Sequence, residues 1–152
     1  MTAYVDADAC PVTGIVEQIC REKGIPVMLM CDEHHLLQSD YSTVKVVASG
    51  RDAVDLALIN LTRPGDLVVT QDYGLAALAL GRKCMALHPG GRVYTDDNID
   101  MLLMERHVHA KARRSGRQRL KGPSRRTQED DLAFAAALRS LLDAAQRNPG
   151  QG

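Results

Sequence analysis

The sequence predicts a three-layer α/β domain with a central, mostly parallel sheet. Short apolar runs of strand length alternate along the chain with segments whose apolar residues recur at helical spacing. The chain has 152 residues and is 45% hydrophobic, which suffices for one domain with a buried core but not for two. We therefore expect one domain over 1–147 and a flexible tail at 148–152.

The first thirty residues predict a β-α-β unit. A strand is expected at Ala3–Ala7, and a helix at Pro11–Glu22, where apolar residues recur at i, i+3, i+4, i+7 and i+8. Gly24 ends that helix, and the continuous apolar run Pro26–Cys31 is typical of a strand covered on both faces. Such a unit implies parallel strands joined by a right-handed crossover.

The middle of the chain repeats this alternation. After a loop at 32–40, a strand is expected at Thr43–Ala48. Ser49 and Asp52 have the spacing of a capping box that opens a helix to about Leu61, and we expect its buried face to be Ala53, Leu56, Ala57 and Asn60. The next elements are a strand at Asp66–Gln71, a helix at Leu75–Arg82, a strand at Cys84–Leu87 and a short edge strand at Arg92–Tyr94.

The last third of the chain predicts two helices separated by a loop. Thr95 has the character of an N-cap, with Asp96 and Asp97 in the first turn, where the helix dipole favours anions. Ser115–Arg126 holds two glycines and a proline and predicts a flexible or ligand-ordered loop. A cap pattern at Thr127–Asp130 opens the final helix, whose apolar face we assign to Leu132, Ala135, Ala136, Leu138, Leu142 and Ala145.

Charge is unevenly distributed although the formal net charge is zero. The segment 105–126 contains nine Lys or Arg and one acid, so the other 130 residues carry ten basic and 18 acidic side chains. Such a segment either binds a nucleic-acid backbone or is a solvated face. For the first alternative, the side chains assigned to nucleic acid are Lys111, Arg113, Arg114, Arg117, Arg119, Lys121, Arg125 and Arg126.

Composition excludes several classes of protein. The four cysteines lack C-x-x-C spacing, which argues against a disulfide scaffold or a zinc ribbon. Acids at positions 6 and 8 exclude a signal peptide, and the longest apolar run, Leu75–Leu80, is too short to span a bilayer. We expect a cytoplasmic protein with reduced cysteines and no membrane contact.

Acidic residues lie between the ends of predicted strands and the helices that follow them. Asp6 and Asp8 are two residues apart at a strand end, so their carboxylates would lie roughly 6 to 7 Å apart on one side. Oxygen ligands at that separation suit a hard cation such as Mg²⁺ or Mn²⁺. Asp72 also follows a strand, and ligands of parallel α/β sheets bind beyond the carboxyl ends of the strands. Alternatively, Asp8 only caps the next helix while Asp6 is solvated.

Four ordered motifs resemble the YaiI/YqxD family. They are V-D-A-D-A-C-P at 5–11, G-R-D-A-V-D at 50–55, G-D-L-V-V-T-Q-D-Y-G-L-A at 65–76 and Y-T-D-D-N-I at 94–99. The resemblance continues through Arg106-His107 and Lys121-Gly122-Pro123 and covers nearly the whole chain. It implies a PIN-like fold, whose better-known relatives are metal-dependent ribonucleases, although the family itself is uncharacterised.

The resemblance also implies a site. The catalytic and metal-binding acids would be Asp6, Asp8, Asp55 and Asp72, and Thr70 would accompany the strand-end acid. Asn98 stands where classical PIN nucleases tend to have a further acid, which would weaken metal binding unless Asp96 or Asp97 substitutes. The positions implied as metal-binding or supporting are therefore Asp6, Asp8, Asp55, Asp72 and Asn98, with Thr70, Asp52, Asp96 and Asp97.

These features together predict a Mg²⁺- or Mn²⁺-dependent nuclease that acts on RNA or single-stranded nucleic acid. The cation would activate water and neutralise charge on the phosphodiester. A non-catalytic RNA-binding module is an alternative, as is a metal-dependent phosphatase of a small phosphoester. The basic segment argues against the phosphatase, because a small substrate does not need nine cations.

Overall fold

A six-stranded sheet forms the centre of the fold. The computed structural model describes residues 1–8, 10–34, 36–48, 51–115 and 125–148, without the side chains at 51, 52 and 113–115. The strand order is β3-β2-β1-β4-β5-β6, with the first five strands parallel and β6 antiparallel. The strands are β1 Ala3–Asp6, β2 Val27–Asp32, β3 Thr43–Val47, β4 Leu67–Val69, β5 Met85–Leu87 and β6 Val93–Tyr94.

Helices cover both faces of the sheet, which confirms the three-layer α/β prediction. They are α1 Thr13–Lys23, α2 Arg51–Leu61, α3 Tyr73–Gly81, α4 Asp96–Ser115 and α5 Gln128–Arg147. Side chains alternate between the faces along each strand. Ala3 and Val5 of β1 pack in the layer of α1 and α5, whereas Tyr4 packs in the layer of α2, α3 and α4.

Two predicted helix faces are wrong in part. In α2, Leu56 is 59% exposed and Asn60 is exposed, while the buried residues are Val54, Leu58 and Ile59. In α5, Leu132 is 64% exposed, and the buried residues are Phe134, Leu138 and Leu142. Each of these helices contains two apolar stripes at helical spacing, and the sequence does not show which stripe faces the sheet.

Element ends differ from prediction by a few residues. The first helix begins at Thr13 rather than Pro11, since Pro11 and Val12 form a turn. The strand predicted at Asp66–Gln71 is limited to Leu67–Val69. The Asp66 carboxylate accepts hydrogen bonds from backbone N–H groups and so holds the turn before β4. The predicted capping box at Ser49–Asp52 lies outside the described residues.

The chain order creates a switch point between β1 and β4. From β1 the chain moves outward to β2 and β3, then returns to form β4 on the other side of β1. Crevices at the carboxyl ends of such neighbouring strands are the usual ligand sites of parallel sheets. The register pairs Tyr4 with Val68 and Val5 with Val69, so the next step places Asp6 beside Thr70.

Antiparallel β6 reverses the chain before α4. Asp96, the first residue of α4, lines a cavity of about 960 Å³ together with Met1, Asp66 and Met85. These residues precede or begin parallel strands, so α4 begins at the amino-terminal edge of the sheet. Asp96 and Asp97, which the resemblance implied as supporting residues of the acidic site, therefore lie at the edge opposite Asp6 and Asp72. The reason is that the short connection 88–92 makes β6 antiparallel to β5 and so reverses the chain.

The turn between β5 and β6 packs tightly on α5. Gly91 has a φ of +96°, and a Cβ atom there would lie 2.9 Å from the carbonyl carbon of Ala133. Only glycine fits this approach. The contact brings the end of β5 against the first turns of α5.

Across the described residues, no helix has both the length and the apolar character needed to cross a membrane.

Candidate functional site

Thr70 connects the ends of β1 and β4. Its hydroxyl donates a 3.0 Å hydrogen bond to Oδ2 of Asp6 and accepts one of 3.0 Å from the backbone N–H of Asp72. Thr70 is 1% exposed and Asp72 is 7% exposed. The switch point thus places two predicted acids, Asp6 and Asp72, on either side of one buried hydroxyl.

Asp72 has a structural role as the N-cap of α3. Its Oδ1 accepts hydrogen bonds from the backbone N–H groups of Gly74 at 2.8 Å and Leu75 at 3.2 Å. The same oxygen lies 3.3 Å from Nη1 of Arg106 on α4. α3 and α4 pack together in one layer, and the Arg106 side chain remains 55% exposed. The start of α3 thus fixes the Asp72 carboxylate, and the Arg106 guanidinium, which solvent can reach, offsets its charge.

Tyr94 supports this arrangement from β6. Its hydroxyl donates a 3.1 Å hydrogen bond to the backbone carbonyl of Thr70, and the side chain is 2% exposed. Burial, followed by the nearby Tyr73 and Asp72, raises the pKa of the phenol, so it stays a neutral donor. The ring meets Tyr73 edge-on with centroids 6.0 Å apart. These contacts hold the end of β4 in place.

Asp8 and Asp55 are both partly buried near this edge. Asp8 follows β1, and Asp55 lies on α2. One carboxylate oxygen of each, Oδ1, is inaccessible to solvent. Asp8 is not the cap of α1, because Val12 occupies that position without a side-chain hydrogen bond. Asp8 therefore does not occupy the N-cap position, whereas Asp72 does so in α3.

The carboxylate oxygens of the predicted acids are suitable ligands for a hard cation, but the described acids do not form a three-residue metal site. Carboxylate oxygens are the ligands that Mg²⁺ and Mn²⁺ prefer. Within the described residues, however, no three His, Cys, Asp or Glu side chains are grouped so that they could hold a metal ion. Mg²⁺ commonly keeps several water ligands and binds through one or two carboxylates and substrate phosphates, so a cation here would depend on fewer than three protein ligands.

Asn98 forms a capping box at the start of α4. Its Oδ1 accepts the backbone N–H of Thr95 at 2.9 Å, and its own N–H donates to Oγ1 of Thr95 at 3.2 Å. The amide Nδ2 donates to the carbonyl of Val93 at 2.9 Å. Asn98 is eight residues before Arg106, about 12 Å along the helix axis. The structure thus separates Asn98, Asp96 and Asp97 from the crevice that contains Asp6 and Asp72.

The predicted nucleic-acid residues are only partly described. Lys111 is exposed on the last turns of α4, and Arg125 is exposed before α5. Arg126 is less exposed, and its Nε donates to Oδ1 of Asp131 at 2.7 Å. The side chains of Asp52, Arg113 and Arg114, and the whole of Arg117, Arg119 and Lys121, lie outside the described residues.

Sequence reasoning missed Arg106 and Tyr94 as members of the site. Arg106 gave a signal, because it continues the buried face of Ile99 and Leu102 at helical spacing while carrying a charge. A cation on the line of a buried helix face lies close to the neighbouring layer and can reach an anionic partner there while remaining in water. Nothing in the sequence indicated a functional role for Tyr94, since an aromatic residue in a short edge strand usually packs in the core.

His88 was missed although it follows β5 at the carboxyl edge. Its Nδ1 accepts the backbone N–H of Gly90 at 2.8 Å, which leaves the proton of the neutral ring on Nε2. Burial lowers the pKa of His88, and Arg92 and Arg126 lower it further. The rule that places ligands beyond strand ends would have found this residue.

Cysteine chemistry is not supported at this edge. All four cysteines are unbonded, and three are buried. Burial is the main cause that raises the pKa of each thiol, for Cys20 to about 11. The thiols are thus protonated at neutral pH and are poor nucleophiles and metal ligands.

The fold and the site define an α/β protein with paired acids and an arginine at the switch point of its sheet. The chain belongs to the uncharacterised YaiI/YqxD family, whose profile matches residues 4–144. This confirms the resemblance found in the motifs.

Curated relatives cover nearly all of the chain. A UPF0178 protein of Clostridium acetobutylicum is 57% identical over 143 residues, 93% of this chain and 97% of that protein. One of Lachnoclostridium phytofermentans is 51% identical over 144 residues, with the same coverages. One of Clostridium novyi is 47% identical over 146 residues, 96% and 97% of the two chains. No solved structure matches.

Proposed function

We propose that the chain is a PIN-like, Mg²⁺- or Mn²⁺-dependent nuclease that acts on RNA or single-stranded nucleic acid at the carboxyl edge of its sheet. The observation that carries this proposal is the unit formed by Asp6, Thr70 and Asp72 at the β1/β4 switch point. The Thr70 hydroxyl bonds the Asp6 carboxylate and the Asp72 backbone, so two acids lie at one strand edge with Arg106 beside Asp72. A divalent cation on the carboxylates, together with Arg106, would attract an anionic phosphodiester.

In this proposal each side chain of the site has its own role. Thr70 orients Asp6 through its hydroxyl, and Tyr94 holds the Thr70 backbone. Asp6, Asp8, Asp55 and Asp72 supply the carboxylate oxygens. A divalent cation bound by such oxygens would neutralise the charge that develops on the phosphate. Arg106 is half-exposed, so its guanidinium can turn from Asp72 to a phosphate oxygen without leaving water.

The basic segment would bind the rest of the strand. α4 runs from the amino-terminal edge toward the crevice, where Arg106 meets Asp72. Lys111 is five residues later on the same helix, about 7.5 Å further along its axis. A single strand that enters at Arg106 would therefore continue along the end of α4. Phosphate contacts from this region would give affinity without reading the base sequence.

A non-catalytic nucleic-acid-binding module is the second candidate. It is favoured by one observation, that the described acids do not form a three-ligand group. The Asp72 carboxylate already offsets its charge with Arg106 and with the N-terminus of α3. In this candidate the acids only maintain the fold, and the basic segment alone contacts the strand.

Cleavage assays separate these candidates. Labelled single-stranded RNA and DNA of one sequence are incubated with the purified protein in Mn²⁺, in Mg²⁺ and in EDTA. We expect cleavage that needs the cation and is lost in Asp6→Asn and Asp72→Asn. The matched control is Asp40→Asn, because Asp40 is an exposed acid paired with Arg21 on the last turn of α1. It should leave cleavage unchanged.

The other outcomes contradict the nuclease in defined ways. Salt-dependent binding without cleavage under any of these conditions supports the binding module. Hydrolysis of p-nitrophenyl phosphate without cleavage of either strand supports a phosphatase. Equal loss of activity in Asp40→Asn and Asp72→Asn would show that the measured activity does not arise at the switch point.

A further inference from the structure

α4 has a second apolar side, which faces away from the sheet. Ile99 and Leu102 are 6% and 4% exposed and pack in the core between α4, α3 and the sheet. On the opposite side, Met101, Met104 and Val108 are 66%, 62% and 54% exposed. Apolar side chains that form one continuous exposed stripe mark an interaction surface, whereas scattered ones do not.

The stripe has the spacing of a coiled-coil seam. Asp97, Met101, Met104, Val108 and Lys111 follow one another at intervals of four, three, four and three residues. This 3.5-residue repeat keeps all five side chains on one side of a helix. From Asp97 to Lys111 the stripe is about 21 Å long. It is apolar in the middle, acidic at one end and basic at the other.

This arrangement is complementary to itself when two copies run antiparallel. With a two-fold axis at Met104, Met101 of each copy lies within one residue, about 1.5 Å along the axis, of Val108 of the other. Asp97 of each copy then lies opposite Lys111 of the other, so both charged ends are paired. A two-fold interface requires this kind of self-complementary patch. A parallel arrangement in register would instead place Asp97 on Asp97 and Lys111 on Lys111.

We propose that the protein forms a two-fold homodimer in which α4 packs antiparallel on α4 of a second copy. Arg106 points to Asp72 on the inner side of α4. The dimer therefore leaves the switch-point crevice and Arg106 open to a single strand. Lys111 then marks the direction of the strand path along α4, and its own charge pairs with Asp97 of the second copy.

The first test is the oligomeric state of the full chain. Sedimentation equilibrium across the micromolar range should give a dimer. Met104→Lys puts two like charges together at the two-fold axis and should raise the dimer Kd by roughly a hundredfold or more. The matched control is Leu132→Lys on α5, because Leu132 is as exposed as Met104, at 64% against 62%. This variant should keep the mass of the parent dimer. A monomeric parent chain, or a Met104→Lys variant that stays dimeric, would overturn the proposal.

The second test examines the antiparallel register. Asp97→Lys and Lys111→Asp each place like charges at both ends of the seam, and each should weaken the homodimer about tenfold. An equimolar mixture of the two variants has opposite charges at both ends and should recover a heterodimer with the parent affinity. Circular dichroism checks that each variant is folded. Weak homodimers that do not recover on mixing would show that these two residues do not face each other.

Discussion

The Thr70 hydroxyl joins two acids from opposite sides of the switch point. It donates to Oδ2 of Asp6 at 3.0 Å and accepts from the backbone N–H of Asp72 at 3.0 Å. Because both groups depend on one buried oxygen, its removal affects the carboxylate on β1 and the start of α3 together. The geometry of the candidate site is thus coupled to the stability of the fold.

Thr70→Val should destabilise the protein by about 1 to 3 kcal/mol. The substitution keeps the shape of the side chain but leaves the buried N–H of Asp72 without its acceptor. Urea unfolding followed by circular dichroism measures the change. Thr70→Ser is the control, since it retains the hydroxyl and removes only a methyl group, at about 1 kcal/mol or less. Equal losses in both variants would mean that the hydrogen bonds contribute nothing.

Asp72→Asn should fold with only a small loss of stability. Asparagine is as good an N-cap as aspartate, so α3 keeps its start, while Asp72→Ala should cost about 1 kcal/mol more. The ion pair between Asp72 and the half-exposed Arg106 contributes about 1 kcal/mol or less to the free energy of unfolding. Arg106→Gln should therefore destabilise the parent chain slightly and the Asp72→Asn chain not at all. A double-mutant cycle that shows no coupling would contradict the ion pair.

Stability should fall as the pH is lowered through the titration of His88. Burial, together with Arg92 and Arg126, lowers its pKa from the ordinary 6.5 in the folded chain. Well above pH 6.5 the ring is neutral in both states and does not alter stability. As the pH falls below this value, the unfolded chain binds the proton first, so the free energy of unfolding decreases until the folded ring is also protonated.

His88→Asn isolates this effect. The asparagine Oδ1 can accept the Gly90 N–H in place of Nδ1 but does not titrate. We expect the difference in unfolding free energy between the parent and the variant to shift in favour of the variant from pH 7.5 to about pH 5. A difference that is independent of pH would show that His88 keeps an ordinary pKa.

The basic segment predicts the salt dependence of RNA binding. Replacement of Arg113, Arg114, Arg117 and Arg119 by Ala removes up to four cations that could neutralise phosphates. The slope of log K against log salt for a single strand should then become less negative by about 0.7 for each phosphate that is no longer neutralised. The control replaces Arg139 and Arg147, which are exposed on α5. An unchanged slope in the four-residue variant would identify the segment as a solvated face.

The sequence contained most of the information about secondary structure. The spacing of apolar residues predicted the main strands and helices, Gly24 predicted the end of α1, and the Thr127 capping box predicted the start of α5. These signals act within a few residues. The same reasoning found the strand-end acids Asp6 and Asp72. It failed for the buried faces of α2 and α5, where two apolar stripes compete and only packing on the sheet selects between them.

The sequence by itself determined the α/β alternation, the family and the acids that follow β1 and β4, since each depends on local pattern. Only the tertiary structure decided which of those acids meet. The strand order placed Asp6 beside Thr70, and antiparallel β6 moved Asn98, Asp96 and Asp97 to the other end of α4. The same reversal brought Arg106 to Asp72. Strand order arises from contacts between distant segments, and no local spacing of residues encodes it. The direction of β6, by contrast, follows from the short connection 88–92, which permits only an antiparallel pair.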